Sequence, residues 1–230
     1  MIKVGMIGCG KIAQVRHIPE YLANGHVQIL GYYDRSRNRA EELANQHGGT
    51  VYPDVEALLE DPEIDAVSVC TANHLHAEIT IAALKAQKHV LCEKPMCLKR
   101  EQAAELSACA KARNLILFEG IKTAYCPGFA KLLGIACSGI IGNIRCVEAC
   151  FTKLERPDSR ELRDTKYGGS FTELGSYCLL PILKLFGHDY QEIRFETIEA
   201  ENGIDLYTRA YLRYRNGLAT ASCGLGVKSE

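Results

Sequence analysis

The stretch GMIGCGKIAQ, residues 5–14, decides the fold. It closes an apolar run, Ile2 to Ile7, and opens a helical pattern, giving Gly8-x-Gly10-x-x-Ala13. In a strand-turn-helix unit each small residue has a reason: Gly8 permits the tight turn, Gly10 lets the backbone approach a pyrophosphate, and Ala13 allows close helix packing. The helix start, with Lys11 and Ile12 in its first turn, adds unpaired N–H groups and the positive end of a dipole. Alone the pattern is weak, and its plain alternative is a glycine turn that merely joins strand to helix. Its setting strengthens it, because Asp34 ends the next apolar run about twenty residues on, where a carboxylate accepts from ribose hydroxyls. Asp34 favours NAD, since a carboxylate repels a 2′-phosphate. Arg35, Ser36, Arg37 and Arg39 follow it, either as a group able to neutralise such a phosphate for NADP or as a solvated helix start.

Outward from this unit, short apolar runs alternate with helical patterns. Ile2 to Ile7, Val27 to Tyr33, Ala66 to Cys70, Val90 to Cys92 and Leu115 to Phe118 read as strands, several without polar interruption, as in parallel sheets covered on both faces. Lys11 to Ala23, Ser36 to His47, Asp54 to Glu60, His74 to Lys85 and Lys99 to Arg113 read as helices. Strict alternation predicts right-handed βαβ units in a doubly wound sheet over residues 1–120. Beyond Gly120 the pattern changes to a helix (Pro127 to Cys137), a strand (Ile144 to Lys153), a polar loop around Pro157 and a helix from Thr172 to Phe186. Asn202-Gly203 and Asn216-Gly217 then mark hairpins. Between them Leu206, Thr208, Ala210 and Leu212 alternate with Asp205, Arg209, Arg213 and Arg215, so one sheet face is packed and one polar. The expected fold class is α/β: a Rossmann domain, residues 1–120, followed over residues 121–230 by an α+β domain with a mainly antiparallel open sheet. The chain stops just past a strand, which is expected to leave an edge to cover and suggests a truncated product.

With 27 basic and 28 acidic residues and a formal net charge of -1, neither sign gathers into a nucleic-acid or membrane footprint, and a small-molecule partner is expected. The 11 cysteines are odd in number and unpaired by spacing, so they read as reduced thiols of a cytoplasmic protein. Cys146 and Cys150 make a poor zinc site, and no metal is expected. The N-terminus is interrupted by glycine too early for a signal peptide or a membrane span.

A second stretch, HVLCEKPMCL, residues 89–98, ends a buried strand in an acid, a base and a proline. In a doubly wound sheet ligands bind outside the carboxyl ends of the strands. Glu93 and Lys94 follow the fifth strand onto that edge, and Thr71, Asn73 and His76 follow the fourth. A lysine there suits hydride chemistry, in which a hydroxyl proton leaves as hydride moves. The equal alternative is a surface turn in which Lys94 pairs with Glu93. His17 and His74 read as packed or exposed helix residues. Cys92 and Cys97 flank the motif, but no histidine is placed to activate either.

HVLCEKPM, GCGKIA and TANHLHAEITIAALKAQKHV together resemble the Gfo/Idh/MocA family, relatives of glucose-fructose oxidoreductase, inositol dehydrogenase and dihydrodiol dehydrogenase, through essentially the whole chain. The resemblance implies a Rossmann domain for NAD or NADP, and a second domain whose open sheet closes the substrate site and often forms the interface of a dimer or tetramer. It implies that Lys94 contacts substrate and nicotinamide. In GGSFTELGSYC, residues 168–178, it makes Tyr177 the proton donor and acceptor and Glu173 the acid that assists substrate binding; without it, Tyr177 reads as an ordinary core residue. Four apart on a helix, the two share a face. The sequence departs from the pattern at Glu173, where aspartate is usual, at Ala124, where arginine is common and Lys122 is the nearest replacement, and at Ala72, where proline is usual. Family members also run longer. The implied activity is hydride transfer to or from a secondary hydroxyl or ketone of a sugar, cyclitol or diol. The rival is a nicotinamide-binding regulator that has lost its chemistry, and a third reading is a Rossmann enzyme that uses a cysteine.

Overall fold

The computed structural model describes residues 1–229, which form two compact units, Met1–Gly120 and the residues from Ile121 onward. In the first unit six strands, β1 (Ile2–Ile7), β2 (Val27–Tyr33), β3 (Thr50–Val51), β4 (Ala66–Val69), β5 (His89–Cys92) and β6 (Leu117–Glu119), lie in the order β3-β2-β1-β4-β5-β6. Every neighbouring pair is parallel. The order reverses between β1 and β4, the position at which a doubly wound sheet opens a crevice. β1 and β4 are buried over most of their length, which is why they read as continuous apolar runs.

The connections are helical. A wide, π-type turn, Ala13–His17, runs into α1 (Ile18–Leu22); then follow α2 (Arg37–His47), α3 (Val55–Glu60), α4 (His76–Lys85) and α5 (Arg100–Ala112). Two apolar clusters cover the sheet, one around Met6, Ile18 and Tyr32 and one around Leu58, Val67, Leu84 and Leu106. β3 was not foreseen, because two residues cannot display a period. Asp54 caps α3 by accepting from the Ala57 N–H at 2.7 Å.

The second unit holds α6 (Pro127–Cys137), β7 (Cys146–Thr152), α7 (Arg160–Arg163), α8 (Ser170–Phe186), β8 (Glu192–Glu199), β9 (Asp205–Tyr214) and β10 (Gly217–Gly224). Its sheet runs β7-β10-β9-β8, antiparallel except for the β7–β10 pair. α8 lies on one face: Leu174, Cys178 and Ile182 pack with Ala210, Leu212, Ala219 and Ala221. The other face is polar, with Arg213 bonded to Glu192 at 2.9 Å and the Arg194 guanidinium 4.9 Å from the Tyr211 ring centre. The alternation read in β9 is therefore observed. The hairpin signals place both turns, with one shift: Gly203 takes φ 81 in the β8–β9 turn, but Gly217 pairs with Tyr214, so the β9–β10 turn is Arg215–Asn216. The polar loop around Pro157 contains α7, too short to show a helical period.

Ile182 has no exposed surface. Ile182→Ala is expected to cost about 2–5 kcal/mol. Leu218→Ala, on the open face with 58% of Leu218 exposed, is expected to stay within about 0.5 kcal/mol. Urea unfolding midpoints of the two variants check the difference.

Candidate active site

The turn after β1 is held by the strand beside it. Gly8 has φ 96, and a Cβ there would lie 2.5 Å from the Cys70 carbonyl oxygen, at the end of β4. Only glycine satisfies both the backbone conformation and that approach. At Gly10 an added Cβ would meet nothing within 4 Å, so the space a pyrophosphate would take is open. The Asp34 carboxylate reaches back to the turn: Oδ2 accepts the Cys9 N–H at 2.7 Å and Oδ1 the Ser36 N–H at 2.8 Å. Burial, and then the Asp34 charge, push the Cys9 thiol up to about 12. Lys11, Ile12 and Arg35 are exposed. Arg37 is paired with Glu41 at 2.7 Å, and Arg39 approaches Asp34 only to 3.9 Å.

The ends of β4 and β5 form the adjoining part of the edge. Thr71 Oγ1 is buried without a hydrogen-bond partner among the described residues, and Asn73 is buried beside it in the chain. His76 is turned inward. Its Nδ1 lies 2.8 Å from the Pro95 carbonyl oxygen and its Nε2 3.1 Å from that of Thr71, so the ring ties the β4 loop to the β5 loop. The Met96 N–H donates to Glu119 Oε1 at 2.9 Å, adding a tie from β6. Lys94 is half-buried, with a cis peptide to Pro95.

Glu93 is the most constrained member. His17 Nε2 lies 2.8 Å from its Oε1, and the Lys94 N–H donates to Oε2 at 3.1 Å. Burial opposes the Glu93 charge, but the His17 hydrogen bond and charge, with the Lys94 N–H and charge, outweigh it and hold the carboxyl below its ordinary range. The packed alternative read for His17 describes its burial, but its ring also meets a carboxylate: side-chain exposure is 8% for His17 and 13% for Glu93. His17 was missed because nothing in a lone helical histidine names a partner 76 residues away. The signal available was its position, one short helix after the glycine turn.

In the second unit Tyr177 lines a cavity of about 650 Å³ with Lys122, Thr123, Glu148, Cys150, Phe151 and Pro181. Its ring packs edge-on against Phe151 with centres 5.4 Å apart. Pro181 lies inside α8 and has no N–H to give the Tyr177 carbonyl one turn earlier. Glu173 shares the helix but does not line that cavity; it is buried, and Arg160 Nη2 of α7 lies 3.0 Å from its Oε1. The glutamate, one methylene longer than the usual aspartate, thus meets a cation that no motif announced.

These features fit a bound dinucleotide in the first unit: open space over Gly10, an orphaned hydroxyl at Thr71 and a carboxylate at the end of β2. A family model described as an oxidoreductase family with an NAD-binding Rossmann fold, GFO_IDH_MocA, matches residues 2–121. The chain belongs to this family. A dTDP-3,4-didehydro-2,6-dideoxy-alpha-D-glucose 3-reductase of Actinomadura kijaniata is 36% identical over 192 residues, covering 83% of this chain and 58% of the relative. A trans-1,2-dihydrobenzene-1,2-diol dehydrogenase of Bos taurus is 29% identical over 231 residues, covering 99% and 68%. Among solved structures, a 3-ketoreductase from Actinomadura kijaniata in complex with NADP and TDP-benzene superposes with a TM-score of 0.86 at 30% identity, over 98% of this chain and 70% of that one. The chain spans between 58% and 69% of the length of these curated relatives and others like them. The family resemblance read from the motifs is confirmed, as is the two-part fold class. Of the two cysteines in the cysteine-using alternative, Cys92 is fully buried and burial pushes its thiol up to about 12, while the partly buried Cys97 is also raised, mainly by burial.

Gly8→Ala is expected to destabilise the protein by more than about 2 kcal/mol through its backbone conformation and its clash with Cys70. Gly10→Ala is expected to change stability by less than about 1 kcal/mol yet weaken dinucleotide binding at least tenfold, or about 1.4 kcal/mol. Thermal melts and binding titrations of the two variants separate the roles.

Proposed function

We propose that this protein is a nicotinamide-dependent oxidoreductase that moves hydride to or from a secondary hydroxyl or ketone of a sugar, cyclitol or diol. The observation that carries this reading is the meeting, on one edge of the first sheet, of the Gly8–Gly10 turn, Asp34, the unpartnered Thr71 hydroxyl and the Glu93–Lys94 loop. The names of the relatives support it, since they are reductases and dehydrogenases of dideoxy sugars and of a diol.

A nicotinamide group, when bound, supplies the hydride acceptor or donor. The chain's own residues do the rest. The backbone at Gly8–Gly10 and the helix start at Lys11 and Ile12 receive the pyrophosphate, and Asp34 receives the adenine-side ribose. Thr71 and Asn73 line the path toward Lys94. Lys94 holds the reacting oxygen, Tyr177 carries the proton that the oxygen gains or loses, and Glu173 helps to place the substrate from the second unit. Asp34 favours NAD; Arg35, exposed and without an ion pair among the described residues, and Arg39 are the groups through which NADP would be read. The reading also includes a small-molecule substrate and a homo-oligomer, a dimer or tetramer formed through the open face of the second sheet.

The specific observation for the rival, a binding protein without chemistry, is the Arg160–Glu173 contact, which occupies the acid expected to help the substrate. Titration with oxidised and reduced dinucleotide separates the two, because a sensor binds and transfers no hydride with any polyol. For the enzyme, stopped-flow absorbance of the reduced nicotinamide with a sugar and polyol panel is expected to show turnover in the wild type. Lys94→Ala and Tyr177→Phe are each expected to lose about 10²–10⁴ in kcat, with cofactor affinity changed far less. Unchanged kcat in Lys94→Ala removes the lysine from the mechanism.

A further inference from the structure

We propose that His17 is a positioning residue for the Glu93–Lys94 loop: its Nε2 clamps the Glu93 carboxylate at the end of β5, so that the loop presents one fixed anion to the ring of an oxidised nicotinamide. The proposal rests on the functional reading above for the place of the ring, and on the structure of the first unit for everything else.

The clamp is built from three separate connections. His17 closes the wide turn that follows the glycine fingerprint, Ser68 belongs to β4 and Glu93 follows β5. His17 Nδ1 lies 3.5 Å from Ser68 Oγ, which in turn contacts the Tyr21 hydroxyl. Burial pushes the Tyr21 phenol up to about 12, so the hydroxyl keeps its proton and can donate to Ser68. The arrangement that uses every donor then runs in one direction. Tyr21 donates to Ser68, Ser68 to His17 Nδ1, and His17 Nε2–H to Glu93. The carboxylate ends the chain and also receives the Lys94 N–H. π-type turns inside helices occur often at functional sites, and this one ends on the residue that makes the contact.

The thiols packed near the pair keep their protons at ordinary pH, and the neighbouring Glu119 carboxylate is engaged by the Met96 N–H. Burial and the Glu93 charge hold Cys70 well above its usual range, and burial puts Cys92 at about 12. Gly120, behind β6, leaves room for the carboxylate: a Cβ there would lie 3.3 Å from Glu93 Oε1. The nearby cation is Lys94. An anion held beside this lysine favours the oxidised ring, which carries a positive charge, over the neutral reduced ring. The clamp therefore acts on the balance between the two cofactor states.

The sign follows from the direction of the Glu93 shift. A carboxyl held below its ordinary range contributes its charge from the ordinary carboxylate range upward and loses it as pH falls through its folded value. Replacing His17 by leucine removes the leading stabilising contact while the burial that opposes the charge remains, so the loss moves to higher pH. Glutamine can still donate to the carboxylate and does not titrate.

The test is equilibrium binding of NAD(H) and NADP(H), oxidised and reduced, between about pH 5 and 8, to wild type, His17→Leu, His17→Gln and Glu93→Gln. In wild type and His17→Gln, the ratio of oxidised to reduced affinity is expected to hold across the range. In His17→Leu it is expected to fall by roughly fivefold to tenfold toward the acid end, approaching the Glu93→Gln value. Packing alone would be rescued by leucine rather than glutamine, so equal behaviour of the two His17 variants, or no change in His17→Leu, overturns the proposal. If the wild type binds neither dinucleotide, the functional reading fails on its own. The clamp is then judged from the Glu93 carboxyl titration, seen by carbon NMR as the signal absent in Glu93→Gln, which must move to higher pH in His17→Leu and not in His17→Gln. A His17→Leu variant that does not fold leaves His17→Gln against His17→Asn, whose shorter amide cannot reach Glu93, under the same criteria.

Discussion

The close contact between the ends of β1 and β4 is the constraint on which the rest of the first unit depends. The Gly8 turn rests on the Cys70 carbonyl, with no room for a side chain. Because the turn is pressed against β4, the helix that follows starts where strand order reverses, the place at which a doubly wound sheet opens a crevice. The same contact brings residue 17, at the end of the first helical turns, over β4 and β5. A bulkier residue at position 8 would move both the helix start and the histidine that meets Glu93.

Three loops then reach a common edge, and each is tied to its neighbour by a buried or half-buried side chain rather than by backbone pairing alone. His76 joins the β4 loop to Pro95, Glu119 of β6 holds the Met96 N–H, and His17 holds Glu93. Net gains from single hydrogen bonds are small, but a buried polar group left unpaired is costly, so such ties fix conformation more than they add stability. That is what a lysine in hydride chemistry requires, since a displacement of about 1 Å at the reacting atoms can cost about 100-fold in rate.

Much of this was legible in the sequence. Continuous apolar strands in alternation with helices gave the parallel sheet, because burial on both faces leaves no other pattern. The alternation in β9 gave a sheet packed on one side. Glycines, Asp34 and the Glu93–Lys94 pair could be placed on one edge because strand ends share a direction in such a sheet. What could not be read were contacts made at a distance. His76 carries the same spacing whether its ring faces a cofactor or two backbone carbonyls, and His17 and Arg160 find their carboxylates only after the chain has folded. β3 and α7 escaped because two and four residues are too few to show a period.

The two acids on the cofactor edge illustrate why partners matter more than residue types. Asp34 and Glu93 are both largely buried carboxylates at strand ends. Asp34 is satisfied by two backbone N–H groups, those of Cys9 and Ser36. Glu93 has one backbone donor and one imidazole, the latter from a residue 76 positions earlier in the chain. Asp34 is thus set by backbone groups of its own loop and of the glycine turn, whereas the carboxylate beside Lys94 is held by a side chain from another element, so one substitution at His17 can release Glu93 and leave Asp34 in place.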